Sequence, residues 1–233
     1  MLLPVAVPVL FWGWYHYHKD RHLPEPASHL ALALGLGVVA AGISKALYVG
    51  LGYVSLRHDA LLLADNNTIG LFAYAMLVIG PVEEMAKLLP FLAVVLRFRE
   101  FDEPLDGIIY ASFIALGYAA VENVFYLQYL TPIEAVARGF AAPVLHILCA
   151  SIWGYAIGIA WLRHDALFVA TTKGFLLAAG LHGVYDFIVL QNAFNALPIA
   201  AAIVITVWVW RLRLMQMLHR DATQAAPQTD RDA

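Results

Sequence analysis

Apolar positions fill the chain in seven long runs, at about 2–17, 28–52, 68–96, 107–130, 138–162, 166–190 and 196–214, separated by short polar turns. Each run is long enough, or nearly so, for a helix rising about 1.5 Å per residue to cross roughly 30 Å of hydrocarbon. The pattern therefore predicts an all-α, polytopic membrane helix bundle of about seven transmembrane helices. The first run is the shortest and carries Pro4 and Pro8. It has no basic leader and runs into Trp12, Trp14, Tyr15 and Tyr17, an aromatic belt suited to a membrane interface, so it reads as a spanning helix rather than a signal peptide.

Composition agrees, with 62% apolar and only 13% charged residues. The net charge of −3 carries little meaning here, because in a membrane protein the placement of Lys and Arg matters more than their sum. Lys19 and Arg21 follow the first run, Arg97 and Arg99 the third and Arg163 the fifth, while Arg211, Arg213, Arg220 and Arg231 close the seventh; only Arg57 and Arg138 fall in or beside the other loops. The positive-inside rule then sets the N-terminus outside and the C-terminus in the cytoplasm. The expected organisation is a single transmembrane domain over 1–220, with its core helices at about 68–190, and a disordered cytoplasmic tail over 221–233. Cys149 is the lone cysteine and sits in an apolar run, which excludes a disulfide framework and a Cys-based metal site. No nucleic-acid partner is expected.

The polar positions that interrupt the runs are the chemical signal. Pro81-Val82-Glu83-Glu84-Met85-Ala86-Lys87 puts two carboxylates and a lysine where each ionisable group costs roughly 2.5–3.5 kcal/mol on insertion scales. Glu83 and Glu84 lie four and three residues before Lys87, so both are its helical neighbours, yet one lysine neutralises only one of them. The other needs a second partner or a proton, the condition under which a carboxyl group does proton-transfer work. Gly80-Pro81 just before them favours a kink with unpaired carbonyls, which suits a polar cavity.

Three later runs each add a candidate. Glu122-Asn123 follows Tyr118 by one turn, His146 stands alone in the fifth run, and His182 precedes Asp186 by four residues, a spacing at which a carboxylate orients an imidazole. Counted from the run ends, Glu122 and His182 lie roughly 22 and 24 Å up and His146 roughly 12 Å below the outer end, all within about one helical turn in depth. Other polar residues have plainer readings. Arg138 snorkels at the outer interface, Asp106 caps a helix, Lys173 snorkels or lines a cavity, and Lys45 snorkels or pairs with a carboxylate of the third run. His16, His18, His22 and His29 match no ligand spacing. The repeated Arg-His-Asp-Ala-Leu at 57–61 and 163–167 supplies charged loop residues and a cap.

Taken together, Glu83-Glu84-x-x-Lys87, Asp106-Gly107-Ile108-Ile109-Tyr110, Gly117-Tyr118 leading to Glu122-Asn123, Arg138 with His146, and His182-x-x-Tyr185-Asp186 resemble the PrsW family of intramembrane proteases, relatives of the CAAX-processing and bacteriocin-processing membrane proteases. The charged turn from Asp20 to Pro26 is also similar, and the likeness runs from about Trp12 to Asp186. Tyr118 departs from the Phe more usual there.

The resemblance implies an intramembrane endopeptidase, multi-pass in the bacterial plasma membrane. Its substrate would be a single-span membrane protein, such as an anti-sigma factor, cut near its extracytoplasmic end. It implies Glu83 or Glu84 as the base that activates water, with Lys87 tuning the pair. Glu122, His146 and His182 would either hold a zinc ion or position water without a metal, as in a glutamic protease, and Asp186 would orient His182. Two other classes use similar buried pairs: a CAAX-type processor open to the cytoplasm, and a non-catalytic membrane scaffold or transporter.

Overall fold

A computed structural model describes residues 2–19, 24–191 and 197–225. Every regular element among them is helical. In chain order these are α1 (Leu3–Lys19), α2 (Ala27–Tyr53), α3 (Ala60–Asn66), α4 (Thr68–Tyr74), a π-helical segment (Ala75–Ile79), α5 (Gly80–Ala93), a short 3-10 turn (Val95–Arg97), α6 (Pro104–Tyr126), α7 (Pro132–Leu162), α8 (Leu167–Leu190) and α9 (Leu197–Ala225). The tail expected at 221–233 begins as the last turn of α9, and its remainder lies outside the described residues.

Among the described residues, five helical stretches are long and apolar enough to cross a membrane: α2, α6, α7, α8 and Ala201–Leu218 within α9. They match five of the seven expected runs. The other two differ in form. α1 is 17 residues long, and the third run is divided into α4, the π-segment and α5. Pro81 explains the division, since it has no N–H to donate to Leu77 and its ring crowds that carbonyl. The turn widens ahead of it, and the Gly80 N–H bonds Ala75 O five residues back. π-segments of this kind are common at functional sites.

α6 lies at the centre, buried along almost its whole length between α2 and α7. Its closest approaches are made by glycine. A methyl group on Gly107 or Gly154 would strike the other residue's carbonyl, and Gly117 is pressed in the same way against Leu34 of α2. Small residues let membrane helices meet backbone to backbone, where dispersion and tight packing replace the missing hydrophobic drive. Trp153, Tyr110 and Phe91 fill the core beside these contacts, all fully buried.

Two helix starts differ from the expected ones. α6 begins at Pro104, so Asp106 is its third residue, and its Oδ2 accepts the N–H groups of Asp102 and Glu103, each at 2.8 Å. α7 begins at Pro132, where Glu134 accepts the Thr131 N–H at 2.8 Å in a capping box. Arg138 is therefore the seventh residue of the helix and faces α6, where it pairs with Glu122.

Candidate active site

The sequence stretch that raised the first question forms the centre of the site. α5 leaves the π-segment and crosses α8 at Gly80 and Gly183, where a methyl group on Gly183 would lie 2.6 Å from Ala75 O. The contact is backbone on backbone, and it brings Glu83 and Glu84 against His182. α7 completes the enclosure with His146 and Trp153, which lie two turns apart on one face.

Glu84 is locked. Its Oε1 lies 2.6 Å from Lys87 Nζ and 2.7 Å from His182 Nδ1, and its Oε2 accepts the Trp153 indole N–H at 2.9 Å. Glu84 and Lys87 are both fully buried. Lys87 thus neutralises Glu84, which resolves the ambiguity left by spacing alone. Glu83 is the less engaged carboxylate. Tyr48 of α2 donates to its Oε1 at 3.4 Å, and its buried Oε2 has no hydrogen-bond partner.

The contacts fix the tautomers. An ammonium only donates, so His146 Nδ1, 3.0 Å from Lys87 Nζ, accepts, and Nε2–H donates to Glu122 Oε2 at 2.8 Å. His182 Nδ1–H donates to Glu84. Its Nε2 is left facing Glu83 Oε2 at 3.5 Å and Asp186 Oδ2 at 3.4 Å. A lone pair aimed at two carboxylates calls for a proton or a cation between them. Asp186, expected to orient His182, stands on the Nε2 side, and the orienting contact at Nδ1 comes from Glu84.

Glu122 is held from two sides, by His146 and by Arg138, whose Nη2 donates to Oε1 at 3.0 Å. The Arg138 guanidinium also covers the Tyr126 ring, 3.6 Å from its centroid. Arg138 pairs here because α7 packs along α6 and places it opposite Glu122. Tyr118 does not orient Glu122. Its hydroxyl donates to Ser44 at 3.0 Å, while its ring lies beside His146 and under the Lys87 ammonium.

All seven expected site residues therefore form one cluster. Four carboxylates, Glu83, Glu84, Glu122 and Asp186, face two fixed cations, Lys87 and Arg138. Glu83, His146 and His182 bring one ligand atom each within 4.8 Å of the others. Two imidazoles and a carboxylate are a donor set of catalytic zinc sites, and the unpartnered Glu83 Oε2 and the bare His182 Nε2 fit that role. His146 would exchange one of its present partners. The set differs from the expected one by a single carboxylate, Glu83 in place of Glu122. A second grouping, Glu84, Cys149 and His182, is also compact, but there Glu84 and His182 already satisfy one another.

Trp153, Tyr48 and Ser44 escaped the sequence reading. Trp153 lies mid-helix, away from any aromatic belt, and Ser44 and Tyr48 share one face of α2. A cavity of about 370 Å³ opens on the Glu83 side, lined by Tyr48, Tyr118, Glu122, Arg138 and Asp186 among others, whereas Glu84 and Lys87 stay behind its wall.

Residues 25–212 match the family described as PrsW family intramembrane metalloprotease. Curated relatives named Protease PrsW include one from Clostridioides difficile, 29% identical over 89% of this chain and 87% of its own length. Another, from Geobacillus kaustophilus, is 31% identical over 76% and 74%, respectively. One from Bacillus subtilis is 29% identical over 85% and 86%. No solved structure matches the chain significantly.

Proposed function

The chain belongs to the PrsW family of intramembrane metalloproteases, and on that premise we propose that it hydrolyses a peptide bond of a membrane-anchored protein at the Glu83 side of the cluster. The observation that carries this reading is the buried Oε2 of Glu83, which makes no hydrogen bond among the described residues and faces His182 Nε2 at 3.5 Å, next to a neighbour whose charge is already taken up by Lys87.

Glu83 is the general base. As the water oxygen attacks the scissile carbonyl carbon, Glu83 Oε2 takes one of its protons. It then delivers that proton to the departing amide nitrogen, and the C–N bond breaks to leave a new carboxyl group and a new amine. His182, held through Nδ1 by Glu84, presents Nε2 to the same space and in its protonated form donates to the oxyanion. Glu84, Lys87 and Trp153 are positioning residues that act through His182 and His146. Arg138 and Glu122 fix His146 from the other side. In a metal-bound form, Glu83, His146 and His182 would hold a zinc-class ion, which would supply a more acidic water and Lewis-acid polarisation in place of the base at Glu83 Oε2 and the donor at His182 Nε2. With four carboxylates against two fixed cations, the cluster has room for that added positive charge.

The architecture proposed around the site is a single transmembrane domain over 1–220 with seven spans, in which α1 and the α4–π–α5 rod join the five longer stretches. The N-terminus is outside and the C-terminus in the cytoplasm of the bacterial cell membrane, as the distribution of Lys and Arg supports. Glu122 then lies near the outer ends of α6 and α7, so cleavage falls near the extracytoplasmic end of a single-span substrate. By likeness to the family, an anti-sigma factor is the proposed example. The test is a co-expressed single-span reporter. Wild-type protein cuts it and Glu83→Gln does not, while the variant remains membrane-inserted and extractable; full cleavage by Glu83→Gln sinks the assignment. A cysteine placed beside Glu122 and labelled from outside reports the direction of access.

A further inference from the structure

The cavity beside Glu83 draws its anions and its free cations from different elements. Glu83, Glu122 and Asp186 supply its anionic groups, and Arg138 is already committed to Glu122. Apart from them, Ala41, Ser44, Lys45 and Tyr48 form one face of α2 at i, i+3, i+4 and i+7, and the following loop adds Arg57 and His58. Lys45 and Arg57 line the cavity, both are exposed in the bundle, and neither is ion-paired with the cavity's carboxylates. Depth ties Lys45 to the reaction. Tyr48, less than one turn further along the same face, is the residue whose hydroxyl reaches Glu83, and Ser44 is the residue that holds Tyr118. Lys45 therefore projects from α2 at the level of the catalytic carboxylates, and Arg57 stands further along the same wall.

A lysine inside a span normally pairs or snorkels. This one opens into the cavity that a substrate strand must enter, together with carboxylates that would repel an acidic segment. We propose that Lys45 and Arg57 are specificity-determining residues that bind an Asp or Glu side chain of the substrate close to the scissile bond. This rests on the proteolytic reading above. The two cations draw in an acidic flank that Glu83, Glu122 and Asp186 alone would repel, and they hold it on the α2 wall while the peptide carbonyl faces Glu83. Charge complementarity of this kind sets specificity by rejecting the wrong partner as much as by attracting the right one.

The experiment uses full-length protein in zwitterionic-lipid vesicles with single-span reporters. The reporters differ only in carrying Glu, Gln or Lys beside the cleavage position, which is located by mass spectrometry. Wild-type protein is expected to cut the Glu reporter about tenfold faster than the Lys reporter, an effect on the scale of one partly desolvated ion pair. Lys45→Glu and Arg57→Glu are expected to lower or reverse that ratio, and the ratio within each variant cancels any change in folded fraction. An unchanged ratio in both variants overturns the proposal. So does a ratio that follows the fraction of anionic lipid rather than the reporter charge, because the cations would then serve lipid phosphates. Failure of wild-type protein to cut any reporter would instead count against the proteolytic reading itself.

Discussion

Glu84 and His182 stand 98 positions apart, yet Oε1 of the first lies 2.7 Å from Nδ1 of the second. This contact joins α5 to α8 and gives each residue a role. Glu84 spends its charge on Lys87 and His182, and His182 is turned so that Nε2 looks towards Glu83. The glutamate next in sequence to the buried ion pair is the one left open to the cavity.

Separate consequences for the two glutamates follow. Glu83→Gln is expected to cut proteolysis by about 10²–10⁴, the usual contribution of a positioned base, with thermal stability in detergent close to wild type. Glu84→Ala leaves Lys87 buried without its anion and is expected to lose about 3–5 kcal/mol of stability. Adding Lys87→Met should restore much of that stability without restoring cleavage. Reporter cleavage and thermal unfolding, measured on the same preparations, separate the two outcomes.

The helix crossing that creates the contact is testable through Gly183. A methyl group there would lie 2.6 Å from Ala75 O and 3.0 Å from the Met76 Cα, both backbone atoms that cannot swing aside. Gly183→Ala is expected to push α8 off the π-segment, at about 1–3 kcal/mol for overpacking, and to separate His182 from Glu84. Cleavage should fall at least as far as in His182→Ala. Gly180, which has nothing within 4 Å of its Cβ position, is the control, and Gly180→Ala should keep wild-type activity.

Much of this site was legible because charge inside an apolar run has few explanations. Glu83, Glu84, Lys87, Glu122, His146, His182 and Asp186 stand out by type, and helical rise alone places three of them at one depth. The choice between Glu83 and Glu84 was not legible. Their spacings to Lys87 are equally good, and the decision comes from Trp153 and His182, which reach Glu84 from other helices. Arg138 was misleading for a local reason. The unbroken apolar stretch suggests a start at 138, whereas Thr131-Pro132-Ile133-Glu134 holds a capping box that starts α7 earlier, and the partners Glu122 and Tyr126 come from α6, which spacing along α7 does not show. Gly80-Pro81 announces a backbone irregularity, and its form is a wide π-turn closed by the Gly80 N–H on Ala75 O.

Ion content tests the donor set independently of activity. A metal-bound form predicts about one zinc-class ion per chain in purified wild-type protein, lost in Glu83→Ala and His182→Ala, whereas the metal-free base mechanism predicts none. Glu122→Gln should retain it, since the compact set uses Glu83. Elemental analysis after chelation and reloading reads this directly. Retention in Glu83→Ala together with loss in Glu122→Gln would restore the ligand set suggested by sequence alone.

Glu25 provides a pH test outside the spans. It lies in the turn before α2, is nearly buried, and accepts a short hydrogen bond from the Tyr110 hydroxyl of α6. Burial pushes its carboxyl above the ordinary glutamate value, a shift that the hydrogen bond from Tyr110 only partly offsets. A raised folded-state value means that the folded protein binds this proton more tightly than the unfolded chain does. The resulting stabilisation is fully present below the unfolded glutamate value of about 4.3 and is lost as pH rises through the folded value. Glu25→Gln fixes the neutral form, so its melting temperature should exceed wild type at neutral pH and fall less steeply as pH rises above the unfolded glutamate value of about 4.3. Melting curves of detergent-solubilised protein across that range check this, and identical slopes for the two proteins would show that Glu25 ionises freely in the fold.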